Sequence, residues 1–318
     1  MALTPPRTRA GLLKCRPVER GSAVALVAPA SPFERTEFLA GVAELERLGF
    51  EPVYDESIFE RQEFVAGSAA HRAQALQSAW RRADVHAIVA VRGGYGSVET
   101  LPLLDAEQIA RARTAFIGYS DLTSLHAYLN TRVRLVSIHG PMIEGRLAQG
   151  PSAYDAASLL ASLGREPMGE LRCDDVEVVR PGEARGVIVG GTLTQLLASL
   201  GTPFEFEPPD GHVLFLDEVG ERPYRLRRML TQWRLSGRLA RAAAIIVGQL
   251  PRCDEPGGGQ TGASVVRDVL SDFPGPVLMG FPSGHTTTPF VTLPFGVDTL
   301  VSAHGRARVS VLEAAADD

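Results

Sequence analysis

Apolar residues at alternating and helical spacings divide the first half of the chain into short buried strands and amphipathic helices. Ala23 to Ala28 is a continuous apolar run, the pattern of a strand covered on both faces, and Pro29-Ala30-Ser31-Pro32 closes it. Glu37 to Leu48 carries Phe38, Val42 and Leu45 at helical spacing. Val53-Tyr54 marks a second strand, and His71 to Arg82 a second helix that turns Ala73, Leu76 and Trp80 inward. Val85 to Val91 reads as a third strand and ends in Arg92-Gly93-Gly94-Tyr95-Gly96. Ala115 to Ile117 is a fourth. Asp121 to Thr131 then reads as a helix, with Leu122, Leu125 and Leu129 on one face, and a strand at Arg134 to Ile138 completes the half. Strands alternating with helices over this length predict an α/β fold with a doubly wound parallel sheet. Ligands of such sheets bind at the carboxyl ends of strands.

The pattern weakens over residues 146–184, which hold Pro151, Pro167 and Pro181, one helix at Tyr154 to Leu163 and a short strand at Val176 to Val179. This stretch reads as a passage between an N-terminal domain over residues 1–145 and a second domain over residues 185–318. The second half restarts at Gly186-Val187-Ile188-Val189-Gly190-Gly191-Thr192-Leu193, followed by a helix at Thr194 to Leu200 that ends on Gly201. Val213 to Leu216 is a strand leading into Asp217-Glu218, and Pro223 opens a helix over Tyr224 to Ser236. Further strands fall at Ala244 to Val247, Val277 to Met279, Val291 to Leu293 and Val309 to Leu312. The second domain is therefore expected to be α/β and strand-rich.

Composition narrows the class. With 318 residues, 45% hydrophobic and 22% charged, the chain has the make-up of a soluble globular protein. A net charge of −5 gives no bulk case for nucleic acid or an anionic membrane as partner. Cys15, Cys173 and Cys253 stand far apart, in neither a disulfide nor a zinc pattern, and fit a reducing compartment. Met1 to Arg20 lacks the apolar core of a secretory signal, so a cytoplasmic location is expected.

Four strand ends carry candidate chemistry. Ser120 sits between a strand and a helix, where its hydroxyl is exposed and the helix-start N–H groups can stabilise a negative charge. The same position suits an ordinary N-cap serine. Arg92-Gly93-Gly94-Tyr95-Gly96 could cradle phosphate, form a plain tight turn, or supply half of an oxyanion hole beside Ser120. It lacks the G-x-G-x-x-G spacing and the Walker lysine, so no nucleotide cofactor is expected. Among seven histidines, His126 reads as packed and His139, before Gly140-Pro141 at a strand end, as a hydrogen-bonded structural residue or one lining a site, whereas His285 lies in the loop Pro282-Ser283-Gly284-His285-Thr286. Asp217 and Glu218 end an apolar strand, as capping groups or as site residues. Ser120, Asp217 and His285 then follow the order nucleophile, acid, base. No carboxylate–histidine spacing argues for a metal.

Several of these segments together resemble a known family. Val91-Arg92-Gly93-Gly94-Tyr95-Gly96, Gly118-Tyr119-Ser120-Asp121 and Gly140-Pro141-Met142 resemble the N-terminal half of L,D-carboxypeptidases of the serine peptidase type. Gly190-Gly191-Thr192-Leu193, Gly201-Thr202-Pro203, Leu214 to Leu230 and Gly284-His285 resemble the C-terminal half. The resemblance implies release of terminal D-alanine from murein tetrapeptides in cell-wall recycling, by a metal-free, cytoplasmic, dimeric enzyme. It implies Ser120 as nucleophile, His285 as base, and N–H groups near Gly93, Gly94 and Asp121 as the oxyanion hole, with Arg92 beside the substrate. Where the family usually reads Leu-Glu-Asp, this chain reads Leu216-Asp217-Glu218. Motif position favours Asp217 as the acid, and the family's longer Glu arm keeps Glu218 in play. Alternatives are the related immunity-type amidase acting on peptide–nucleotide antibiotics and a non-catalytic small-molecule binding module.

Overall fold

A computed structural model describes residues 11–318. The first ten, part of the Met1–Arg20 stretch read for a secretory core, lie outside the described residues. The first half runs β1 (Ala23–Val27), α1 (Arg35–Leu48), β2 (Glu51–Val53), α2 (Ala69–Arg81), β3 (Val85–Ala90), α3 (Ala106–Ala112), β4 (Ala115–Gly118), α4 (Thr123–Tyr128) and β5 (Ser137–His139). The second continues with α5 (Ala156–Ala161), β6 (Gly169–Glu170), β7 (Glu177–Arg180), β8 (Glu183–Thr192), α6 (Leu193–Ala198), β9 (His212–Asp217) and α7 (Pro223–Leu235). It ends with β10 (Ala242–Gly248), α8 (Gly262–Leu270), β11 (Val277–Phe281), β12 (Leu293–Phe295), β13 (Asp298–His304) and β14 (Arg306–Val311).

Strands β2-β1-β3-β4-β5 form a parallel sheet in that order, the doubly wound arrangement that the alternation predicts. One strand of this sheet comes from far downstream: β12 pairs antiparallel with β5, Leu293 opposite His139. The strand expected at Val291 to Leu293 is thus two residues later and belongs to the first sheet. The strand expected at Arg134 to Ile138 also starts later, at Ser137. Arg134 adopts a left-handed φ of 64° to end the preceding helix, and the chain from Arg134 to Val136 bonds to Leu13 instead.

The second sheet is mixed, in the order β6-β14-β13-β8-β9-β10-β11-β7, with β8 to β11 parallel. Two edge strands, β6 and β7, come from residues 146–184. Alternation along the central strands assigns its two faces. Val213 and Phe215 of β9, with Ala244 and Ile246 of β10, join the core that includes the whole first sheet. Leu214 and Leu216, with Ile245 and Val247, join a second core under Leu226, Leu230 and Trp233 of α7 and Val265 and Val269 of α8. The first domain therefore packs on one face of the second sheet and the helices on the other. Carboxyl ends of strands from both sheets meet at the seam.

Candidate active site

Ser120 follows β4 on a sharp turn. Tyr119 is extended, Ser120 itself has φ 66°, and a 3₁₀ turn over Ser120–Leu122 leads into α4. A left-handed non-glycine residue costs about 1–2 kcal/mol, strain that persists only where surrounding structure enforces it. Leu122, Leu125 and Leu129 are buried and pin the turn from below. The Ser120 hydroxyl caps no helical N–H; its partner is His285, with Oγ 3.0 Å from Nε2.

His285 is held from behind by Asp217. Its Nδ1–H donates to Asp217 Oδ2 at 2.6 Å, and its backbone N–H donates to the same oxygen at 2.8 Å. This fixes the tautomer that leaves Nε2 free to accept the serine proton. Asp217 is fully buried. Burial pushes its carboxyl up, but the charge of His285 and the bonds to it hold the group below the usual carboxylate value. Edge-on packing of Tyr119 against the His285 ring, centroids 5.3 Å apart, limits the ring's swing.

Glu218 is not brought to His285. Its Oε2 accepts from Thr194 N at 2.9 Å and Thr194 Oγ1 at 2.6 Å, and its Oε1 from Val219 N at 3.0 Å. Burial raises its pKa. The carboxylate serves as an N-terminal anchor of α6.

The glycine loop lies against the serine turn. A Cβ on Gly93 would stand 2.9 Å from Ser120 Cβ and 3.3 Å from the Asp121 nitrogen, so the backbone can approach this closely only with glycine there. Ser31 braces the loop, its N–H donating to Gly93 O and its Oγ accepting from Tyr95 N. Asp121 turns away, with Oδ2 accepting from Ser97 N at 2.9 Å. Arg92 pairs with Glu144 at 3.1 Å and donates to Pro32 O at 3.2 Å, and so lines the rim. His126 is packed as expected, bonding Ser137 Oγ and Gly118 O. His139 stacks between His126 and Tyr119, but among the described residues neither of its ring nitrogens finds a hydrogen-bond partner, so it is not the satisfied histidine expected.

Other residues shape the site without having been singled out. Arg72, fully buried, donates to Pro29 O, Gly67 O and Gly96 O and ties three loops together. Gln249 holds the histidine loop, its Oε1 accepting from Thr286 Oγ1 at 2.6 Å and Thr287 N at 2.8 Å. Gln249 stands just past a strand end, so the rule that marks Asp217 applies to it as well. Arg72 carries no such signal, because it sits inside a helix and its partners, three carbonyls and the Glu99 carboxylate, come from separate loops. A cavity of about 460 Å³ between β1, α2 and the turn after β2 has none of Ser120, Asp217 or His285 in its lining. Among the described residues no group of three His, Cys, Asp or Glu is placed to hold a metal ion, and no helix is long and apolar enough to cross a membrane.

A serine on a strained turn, divided by a domain seam from the histidine and carboxylate that face it, defines the class: a hydrolase built on two α/β domains. Residues 24–140 match the LD-carboxypeptidase N-terminal domain, and residues 185–301 match the LD-carboxypeptidase C-terminal domain. The chain belongs to the LD-carboxypeptidase family. A Streptomyces coelicolor protein named as a carboxypeptidase is 35% identical over 291 residues, 89% of this chain and 91% of its own. The murein tetrapeptide carboxypeptidase of Pseudomonas aeruginosa is 30% identical over 269 residues, 82% of this chain and 87% of its own. Among solved structures, the microcin C7 self-immunity protein MccF shares the fold with a TM-score of 0.89 at 24% identity, over 96% of this chain and 100% of its own.

Proposed function

We propose that the protein is a serine carboxypeptidase that hydrolyses the L,D peptide bond of murein tetrapeptides, releasing terminal D-alanine. The observation that carries this reading is the continuous relay from Ser120 Oγ through His285 to Asp217, at 3.0 and 2.6 Å. Ser120 Oγ attacks the scissile carbonyl while His285 Nε2 takes its proton. Backbone N–H groups of Gly94 and Asp121 receive the developing oxyanion. Collapse breaks the C–N bond, His285 returns the proton to the leaving D-alanine nitrogen, and an acyl-enzyme remains on Ser120. Water, deprotonated by the same imidazole, then releases the shortened peptide. Asp217 keeps the imidazole in register and offsets its positive charge.

The Pseudomonas relative's name supports murein peptide as the substrate. The immunity-type alternative stays open: the microcin C7 self-immunity protein MccF of Escherichia coli is 26% identical over 314 residues, 90% of this chain. A cytoplasmic homodimer with neither nucleic-acid nor membrane partner belongs to the same proposal. The test is D-alanine release from a synthetic L-Ala-D-Glu-diaminoacyl-D-Ala tetrapeptide. Release by the wild type, abolished in Ser120→Ala, is the expected result. A wild type that leaves the tetrapeptide intact while cleaving an aminoacyl sulfamoyl nucleoside would overturn the reading in favour of the amidase.

A further inference from the structure

Strands β8 and β9 run parallel, and the last pair in their register is Thr192 with Asp217. Side chains paired in this way leave the same face of a sheet. Thr192 Oγ1–H donates to Asp217 Oδ1 at 2.9 Å, which leaves Oδ2 to His285. Thr192 is buried, and its own N–H donates to Thr123 Oγ1 at 2.9 Å. Thr123 is buried too and is the first residue of α4, three positions beyond Ser120. The close approach is built into the backbone. Gly191 has φ 136°, and a Cβ there would stand 2.6 Å from Thr123 Cγ2. Two hydrogen bonds thus run in series across the seam, from the helix that follows the serine to the carboxylate behind the histidine.

We propose that Thr192 and Thr123 are positioning residues that set the reactivity of Ser120 through Asp217. The proposal rests on the serine-hydrolase reading above and adds to it the device that orients the acid. The terminal torsion of a carboxylate is broad, so one hydrogen bond on each oxygen is needed to hold its plane against the imidazole. Thr192 supplies the bond on Oδ1, and Thr123 holds the backbone of Thr192 at the right depth. The hydroxyl also draws charge from the carboxylate. Without it Asp217 becomes more basic and binds the imidazolium proton more tightly, so the acid limb of reactivity moves to higher pH. The other titratable groups around Asp217 are His285, His139 of β5, Tyr119 of the serine turn and the adjoining Glu218. Among the described residues, the side chain donating to Oδ1 is Thr192.

The experiment is the second-order rate of Ser120 labelling by a fluorophosphonate, measured against pH, which reads serine activation without a peptide substrate. Thr192→Val keeps the backbone N–H and the size while removing the hydroxyl. It should slow labelling about 10- to 100-fold, the effect of deleting one hydrogen bond to a buried charge, and move the acid limb upward. Thr192→Ser should stay within about threefold of wild type, and Thr123→Val should fall between the two. If the valine variant does not fold, Thr192→Ala carries the same expectation without overfilling the site. A Thr192→Val enzyme with wild-type rate and pH profile overturns the inference while leaving the serine mechanism standing, as does a serine variant as slow as the valine one. A wild type that takes no label overturns both.

Discussion

Asp217 and Glu218 are neighbours at the end of β9, yet their carboxylates serve opposite faces of the second sheet. Asp217 lies 2.6 Å from His285 Nδ1, while Glu218 lies 2.9 Å from the backbone nitrogen of Thr194. The alternation that sends Val213 and Phe215 toward the first domain continues to Asp217. Asp217→Asn should therefore fold and lose about 10⁴ in kcat, since the amide favours the wrong imidazole tautomer. Glu218→Gln should keep kcat within about tenfold and lower the melting temperature, because it weakens a buried anchor of α6. Steady-state D-alanine release and thermal melts on the same preparations check both. The reverse ranking of kcat would move the acid to Glu218.

The strain at Ser120 gives a second expectation. Ser120→Ala and Ser120→Gly should both be inactive, but the glycine variant should melt higher. Glycine adopts φ 66° freely, whereas alanine keeps the left-handed penalty of about 1 kcal/mol or more. Calorimetry on the two variants decides it. An alanine variant as stable as the glycine one would remove strain from the account.

Three buried histidines make stability fall on the acid side of neutrality. Burial lowers His126 to about 4, His139 to about 3 and His212 to about 4. Folded-state values below the ordinary 6.5 mean that the unfolded chain takes up protons the native protein refuses. The stability these groups hold above that pH is lost as pH falls toward 4, by about 1.4 kcal/mol per pH unit for each histidine. The lowered Asp217 acts in the same direction at lower pH, its share being lost as pH falls below about 4. His139 is the sharpest probe, since among the described residues neither ring nitrogen has a hydrogen-bond partner and Tyr119, Phe215, Phe290 and Phe295 surround it. His139→Phe should gain on wild type as pH drops. Urea midpoints at about pH 7.5 and about pH 5 measure the gain. A constant difference would show that His139 is not held neutral by burial.

Gln249 should matter to turnover more than to affinity. Its side chain bonds Thr286, Thr287 and Thr288, directly after His285, and so sets where the imidazole sits. Gln249→Leu should lower kcat by about tenfold or more with little change in KM, the pattern of an interaction that acts in the transition state. A rise in KM at constant kcat would place Gln249 in substrate binding instead.

Much of the first domain was legible because its strands are buried on both faces and its helices on one, which writes two clear periods into the chain. Ser120 and His285 stood out because each lies in a loop just past an apolar strand, although an ordinary N-cap role for the serine was equally open. Other features were hidden. Helix α3 is short and buries a single apolar residue, Ile109, behind its Asp105 cap, so its spacing carries little signal. Helix α8, with Val265, Val266, Val269 and Leu270 at helical spacing behind Thr261, was legible but short. Strand β13 alternates buried and half-exposed residues but follows β12 after a two-residue turn, so the two blur in sequence. Which face Asp217 would take could not be read, because alternation gives opposite directions without saying which one leads to the serine. Thr192 and Arg72 act through partners 25 or more residues away or through carbonyls, and local patterns do not record such bonds.

Strand β12 has a bearing on how the protein is made. The five parallel strands of the first sheet leave the ribosome long before Leu293–Phe295, which must return to cover β5. Until then the nascent chain presents an unpaired β5 edge, the kind of edge that invites association with other chains. His285 emerges 165 residues after Ser120, only a few positions ahead of the covering strand. Closure of the sheet and arrival of His285 are therefore nearly one event. A half-made copy carries Ser120 with no imidazole beside it.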